Sequence, residues 1–149
     1  ISTLVFAVPL WLADRYGPSV KSIETMTFKD AVLIGIAQAA ALIPGASRSG
    51  TTMTAARALG LSRSESARFS MLMSIPVIAA FAVLSVIELM GETGASTQLH
   101  DGLIVAGLSF ISALAAIAVL MRLVERVGFL PFVIYRIALG VGLLVWLAL

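Results

Sequence analysis

One stretch of this chain gathers the groups that hold an anion: Pro44-Gly45-Ala46-Ser47-Arg48-Ser49-Gly50-Thr51. Ser47, Ser49, Thr51 and the backbone N–H groups are donors, and Arg48 is a fixed cation whose planar fork suits bidentate contact with phosphate oxygens. Gly45 and Gly50 let the backbone take positive φ and let a ligand come close to it. Thr51 and Thr52 open a helix-forming run, and a helix N-terminus favours an anion. The chemistry implied is phosphate binding. In a soluble protein the same residues would read as a serine-rich turn with an exposed arginine, so the surroundings decide.

Those surroundings are apolar. Of 149 residues, 60% are hydrophobic and 12% charged, whereas an ordinary soluble domain is about one quarter charged. With a mean hydropathy of +1.06, the chain reads as an all-α integral membrane protein. The absence of cysteine excludes disulfides and thiolate metal sites, and a lone histidine, His100, cannot build a histidine metal site. The net charge of +2 does not point to nucleic acid in so apolar a chain; basic residues here set topology and meet lipid phosphates. The sequence enters at once on an apolar run with no charged segment or cleavage site before it. Residues 1–13 are therefore expected to be the end of a transmembrane helix that begins outside this sequence, not a signal peptide.

Asp14-Arg15-Tyr16-Gly17-Pro18 stops that helix, and residues 14–30 form a polar linker expected to lie along the membrane surface. Ala31–Ile43 is the informative segment. A span needs about 20 apolar residues, and runs of roughly 10–14 are more often buried or re-entrant. This one stops at Pro44-Gly45, and the next, Thr52–Leu59, is shorter still and closes at Gly60, a suitable helix C-terminal residue. Two half-helices around a polar turn predict a re-entrant hairpin over 31–60. Irregular backbone at membrane depth persists only where protein or a water-filled cavity satisfies it. Gln38 inside the first half-helix is either an interhelical hydrogen bonder or a substrate contact.

Ser62-Arg63-Ser64-Glu65 has capping-box spacing and opens a helix over 64–90 that contains Pro76. A polar loop, Gly91–His100, lacks lysine and arginine. Further spans are predicted over 101–121, ended by Arg122, Glu125, Arg126 and Gly128, and over 130–149, with Pro131 in its first turn. Arg136 within the last span either snorkels to the interface or faces the bundle interior. A hairpin at 31–60 puts Arg15, Lys21, Lys29, Arg57, Arg63, Arg68, Arg122 and Arg126 on one side, which the positive-inside rule makes cytoplasmic. A full span there would divide them between two sides.

Pro44-Gly45-Ala46-Ser47-Arg48-Ser49-Gly50 resembles the P-G-x-S-R-S-G signature of the undecaprenyl-pyrophosphate phosphatase (BacA/UppP) family. Ile34-Gly35-Ile36-Ala37-Gln38 before it, Gly60-Leu61-Ser62-Arg63 after it and Leu130-Pro131-Phe132-Val133-Ile134-Tyr135-Arg136 near the end agree, in family order. The resemblance implies a fold of two inverted repeats, each with a re-entrant hairpin, of which this chain is the second. It implies hydrolysis of undecaprenyl diphosphate to the monophosphate carrier and inorganic phosphate, in the bacterial inner membrane, with bacitracin resistance as a consequence. The family's first repeat carries acidic residues and an S-S-T-G-H turn whose histidine serves in catalysis. Superposed on that turn, Thr51 falls where the histidine would be, and Gln38 and Leu42 fall at the acidic positions.

This half is thus expected to supply phosphate binding: Arg48, Ser47 and Ser49 as catalytic groups, with Gly45, Gly50, Thr51, Gln38 and Arg57 holding substrate. For Arg57 an interface cation is the favoured alternative, and Arg63 and Arg68 read as topology charges. Glu88 and Glu92 look like solvated helix-end groups, with a metal role as the alternative, and His100 lies far along the chain from the motif. The family usually requires a divalent cation, Mg2+ or Ca2+, whose ligands are expected in the other half. Expected partners are a polyprenyl diphosphate lipid and the membrane, with a homodimer left open. The competing readings are a lipid-phosphate carrier that translocates without cleaving, and a subunit inactive without its other half.

Overall fold

The structure, a computed structural model, describes residues 2–90 and 95–148. Every regular element there is helical: α1 (Ser2–Tyr16), α2 (Phe28–Gln38), α3 (Arg48–Ala58), α4 (Arg63–Met90), α5 (Ala95–Val127) and α6 (Leu130–Ala148). Short 3-10 turns occupy Ile23–Thr25 and Ala39–Leu42. Among the described residues three helices are long and apolar enough to cross a membrane, over Arg63–Glu88, Asp101–Val127 and Leu130–Leu147.

The linker between α1 and α2 is strapped to the turn between α3 and α4. The N–H groups of Val20 and Lys21 donate to the Gly60 carbonyl, and the Ser62 N–H donates to that of Lys21. Thr27 caps α2 reciprocally: the Asp30 N–H donates to Thr27 Oγ1, and the Thr27 N–H donates to Asp30 Oδ2. Lys21 Nζ, 2.9 Å from the same carboxylate oxygen, joins Thr27 in holding the Asp30 pKa down from 3.8 to about 2.

α2 and α3 fold back against each other around Ile34, Ala56 and Leu61, all fully buried. α1 packs against α3 and α6, and α4 packs against α3 and α5. Where these meet, Ala7, Leu10, Met53, Ala67, Val124, Phe129 and Val133 form the larger core. Beyond it, α4 to α6 present large apolar side chains outward, among them Phe81, Ile87, Phe110 and Trp146.

Several boundaries differ from the sequence expectation. The second short helix starts at Arg48, not Thr52, because the Ser47 side chain caps it by accepting from the Gly50 N–H. The first ends at Gln38 and tightens into a 3-10 turn before Ile43. α5 runs past Met121 to Val127, since Arg122, Glu125 and Arg126 are adequate helix formers, and it ends at Gly128 with φ +74°. Residues 95–100, expected as loop, belong to α5, while Glu92 lies outside the described residues. The capping box at α4 is half formed. The Glu65 N–H donates to Ser62 Oγ, but the Glu65 carboxylate accepts from the Ile23 N–H, pinning the linker instead.

Candidate anion-binding site

The signature divides into a loop, Ile43–Ser47, and the first turn of α3. The backbone turns left-handed twice in the loop, at Gly45 (φ +87°) and at Ser47 (φ +66°), the only non-glycine residue with positive φ among those described. For a residue with a side chain that conformation costs on the order of 1–3 kcal/mol and points to a functional constraint. Gly45 has no alternative: a Cβ there would lie 2.6 Å from Ser2 Oγ and 2.9 Å from Thr3 Oγ1. Ser2 Oγ donates to the Pro44 carbonyl at 2.5 Å, so the loop rests on the first turn of α1.

A cavity of about 560 Å³ opens beside the loop. Its lining includes Thr3, Gly45, Ser47, Ser49, Gly50, Tyr135 and Arg136, and its apolar wall comes from α1, α3, α4, α5 and α6, including Leu10, Met53, Met71 and Phe132. Ser47 and Ser49 are exposed. The N-terminal turn of α3 carries unpaired backbone N–H groups and a partial positive charge. An anion with an apolar tail therefore matches the lining at both ends.

Thr51, Gln38, Arg48 and Arg57 are not among the lining residues. Thr51 is 6% exposed, and its hydroxyl donates to the carbonyl of Arg48 at 2.9 Å and also reaches that of Ser47. Thr52 reaches Ser70 Oγ at 2.6 Å, tying α3 to α4. Gln38 ends α2, half-buried. Arg48 opens α3, half-buried, and no hydrogen bond or ion pair to its side chain is formed among the described residues.

Arg57 stands apart from the cavity. It is 2% exposed, and its guanidinium donates to the carbonyls of Gly17 (2.8 Å), Pro18 (3.1 Å), Asp14 (3.3 Å) and Leu61, and to Ser19 Oγ (3.0 Å). The expectation of a substrate contact meets a side chain whose two terminal nitrogens are taken up by the end of α1, the linker and Leu61, while its buried Nε has no hydrogen-bond partner among the described residues. Arg63, expected as a topology charge, forms a two-pronged pair with Asp14: Nε lies 2.6 Å from Oδ1 and Nη2 lies 3.2 Å from Oδ2. It also lies over Gly128, where a Cβ would come within 2.9 Å of Arg63 Nε.

Sequence reasoning missed the site's other cation. Arg136, 9% exposed, faces inward from α6, and its Nη2 donates to the carbonyls of Gly45 and Ala46, each at 2.8 Å. The signal was a guanidinium within an apolar span, which left interface and interior equally open; only the placement of α6 beside the loop decides. Among the described residues no group of three or more His, Cys, Asp or Glu could hold a metal. The hydroxyls and the guanidinium lining the cavity fit an anion and do not fit a divalent cation.

The family model described as bacitracin resistance protein BacA matches residues 1–142. A protein of Maricaulis maris named undecaprenyl-diphosphatase is 70% identical over 148 residues, covering 98% of this chain and 55% of that protein. One of the same name from Hyphomonas neptunium is 51% identical over 146 residues, covering 96% of this chain and 51% of its own length. A third, undecaprenyl-diphosphatase 1 of Pseudoalteromonas translucida, is 44% identical over 151 residues, covering 100% and 56%. The chain spans about half the length of the curated relatives it matches.

Proposed function

Because this chain belongs to the bacitracin resistance protein BacA family, we propose that it supplies the phosphate-binding half of a membrane enzyme that hydrolyses undecaprenyl diphosphate. The products are undecaprenyl phosphate, returned as lipid carrier for cell-wall synthesis, and inorganic phosphate. The observation that carries the reading is the composite cavity: hydroxyls, a helix N-terminus and a guanidinium at one end, and a wall of Leu10, Met53, Met71 and Phe132 along the side.

The hairpin of α2 and α3 is re-entrant in this reading. Its tip meets α6 at Arg136, the seventh residue of a 19-residue helix, roughly 9 Å along a length of about 28 Å. An anion held there lies within the hydrocarbon thickness, reached by a polyprenyl tail from the surrounding lipid. The other half of the enzyme contributes an inverted repeat, the proton-transfer group and the ligands of the expected divalent cation, for which the residues here are unsuited.

In the reaction, water oxygen bonds to the terminal phosphorus, the bond from that phosphorus to the bridging oxygen breaks, and the lipid monophosphate leaves. Phosphoryl transfer is accelerated mainly by positioning and by stabilising charge on the phosphoryl oxygens. Ser47, Ser49 and the N–H groups of the first turn of α3 hold the terminal phosphate, with Gly45 and Gly50 allowing close approach. Arg48, whose guanidinium has no partner among the described residues, turns in to clamp the charge that develops. Thr51 supports the turn from below by donating to the Arg48 carbonyl.

The test is phosphate release from undecaprenyl diphosphate in detergent, comparing this chain with a chimera that adds the preceding half of the Maricaulis maris relative. Release by the chimera alone is the expected result. Release by the 149-residue chain alone would mean that the proton-transfer group lies within it and that the roles above are wrong. Movement of intact lipid diphosphate across a vesicle bilayer, with no release by the chimera, would replace the phosphatase by a carrier.

A further inference from the structure

We propose that Arg136 is the positioning residue of the anion-binding loop: from α6 it fixes the Gly45–Ala46 backbone and, through it, the Ser47 cap and the first turn of α3. The activity part of its test rests on the phosphatase reading; the structural part does not.

The loop has little reason of its own to hold its shape. Two left-handed residues, Gly45 and Ser47, flank Ala46, and in an unbraced chain each relaxes readily to other conformations. Inside the loop one backbone hydrogen bond, from the Ala46 N–H to the Ile43 carbonyl, closes the turn. Without Arg136 the carbonyls of Gly45 and Ala46, consecutive and adjacent to strained Ser47, would have no protein hydrogen-bond donor among the described residues. Both accept from one nitrogen, Nη2 of Arg136, at 2.8 Å, from 91 and 90 residues away in the chain.

Gly50 makes the arrangement possible from the other side. A Cβ there would collide with Nη1 of Arg136, so Gly50 leaves the room in which the guanidinium lies. A charge within an apolar span is costly unless it is partnered, and these two carbonyls are the partners the structure gives it. The serines and Arg48 follow directly on the braced segment, so their placement relative to the cavity depends on the brace. Arg136 acts through the loop.

The proposal is tested in the chimera with Arg136→Met, Arg136→Lys, Arg48→Ala and the double variant Arg48→Ala/Arg136→Met. Hydrogen exchange of the amides of residues 45–51 is followed beside kcat and KM on undecaprenyl diphosphate. Arg136→Met is expected to speed exchange across the loop at least about tenfold and to lower kcat by about ten- to a hundredfold, the losses of a displaced constellation. Arg136→Lys keeps donors for two carbonyls and is expected to retain loop protection and activity within about tenfold of the parent. In the Arg48→Ala background, Arg136→Met is expected to cost much less than it does alone, because both act through one unit.

Unchanged loop exchange in Arg136→Met would overturn the proposal, as would losses that multiply in the double variant. So would an Arg136→Lys protein with a protected loop and the full catalytic loss, since the guanidinium would then be touching substrate. Should Arg136→Met fail to fold, Gly50→Ala displaces the guanidinium from the opposite side and must raise loop exchange in the same way; a protected loop in that variant also overturns the idea. Loop exchange that follows Arg136 in a chimera releasing no phosphate would sink the phosphatase reading and leave the brace standing.

Discussion

Replacing Arg57 by methionine separates a structural arginine from a substrate contact. Methionine keeps most of the length and removes the donors. The change leaves the carbonyls of Gly17, Pro18 and Leu61 short of a partner, and Asp14 loses a second cation whose Nε lies 3.9 Å from its Oδ1. A hydrogen bond from a charged donor contributes about 1.5–3 kcal/mol and a deserted buried acceptor costs about 1–3 kcal/mol. These effects overlap, because Arg63 still pairs with Asp14. The net loss is therefore set at about 3–5 kcal/mol, the usual cost of removing one partner from a buried ionic cluster. For a unit of this size that lowers the midpoint of thermal unfolding by roughly 10 °C. The assay is thermal unfolding of the detergent-solubilised chimera, run beside KM for undecaprenyl diphosphate well below the midpoint. Arg57→Met should unfold early while the folded fraction keeps the parent KM. A parent-like midpoint with a KM raised tenfold would refute the reasoning and return Arg57 to the substrate.

Arg48→Ala should reduce kcat in the chimera by at least about a hundredfold, the range seen when one preorganised charge-stabilising donor is lost, and Arg48→Lys should recover little because the ammonium lacks the fork; near-parent turnover in Arg48→Ala would remove the assigned role. Asp30, with its pKa lowered from 3.8 to about 2 by Lys21 and Thr27, is ionised in the folded state at a pH where the unfolded chain is protonated, so its contribution to stability is fully present above about pH 4 and is lost as pH falls through about 2. A stability profile of parent against Asp30→Asn should show a gap at neutral pH that closes toward pH 2; a gap independent of pH would contradict the assignment. Gly128→Ala forces a side chain onto φ +74° and against the Arg63 guanidinium, so it should destabilise by about 1–3 kcal/mol; an unchanged unfolding midpoint would show that the α5–α6 turn relaxes freely.

Much of this was legible in residue type and spacing, and the rest was not for identifiable reasons. Apolar run length marks α4, α5 and α6 as long enough to span, because bilayer thickness imposes a length that local detail cannot hide. The brevity of the segments around Pro44 underlies the proposed re-entrant hairpin for the same reason. The helix boundary at Arg48 was hidden because a serine in a left-handed conformation capping a helix does not announce itself in a run of serines; Thr51 and Thr52 looked like equally good starts. The partners of Arg57, Arg63 and Arg136 were hidden more deeply. Each arginine is identical in one dimension, and whether it meets carbonyls, a carboxylate or solvent depends on helices 40 or more residues away, as Arg57 Nη2 and Gly17 show.

Three arginines belong to the hairpin or touch it, and their partners sort them. Arg57 and Arg136 are both at least nine-tenths buried, and both donate chiefly to backbone carbonyls, at the two ends of α3: the C-terminal end through Leu61 and the N-terminal end through Gly45 and Ala46. A carbonyl partner is permanent and carries no net charge, so Arg136 braces the loop before α3 without being neutralised and its charge still adds to the potential around the cavity, whereas Arg57 also has the Asp14 carboxylate 3.9 Å from its Nε. Arg48, between them, is the one left half-buried with no partner among the described residues. A flexible cation kept unpaired in an apolar setting is costly unless a ligand completes it. On this argument a phosphate ion should raise the unfolding midpoint of the chimera through Arg48, and the rise should disappear in Arg48→Ala while surviving in Arg57→Met; loss of the rise in Arg57→Met alone would mean that the two arginines have been assigned the wrong way round.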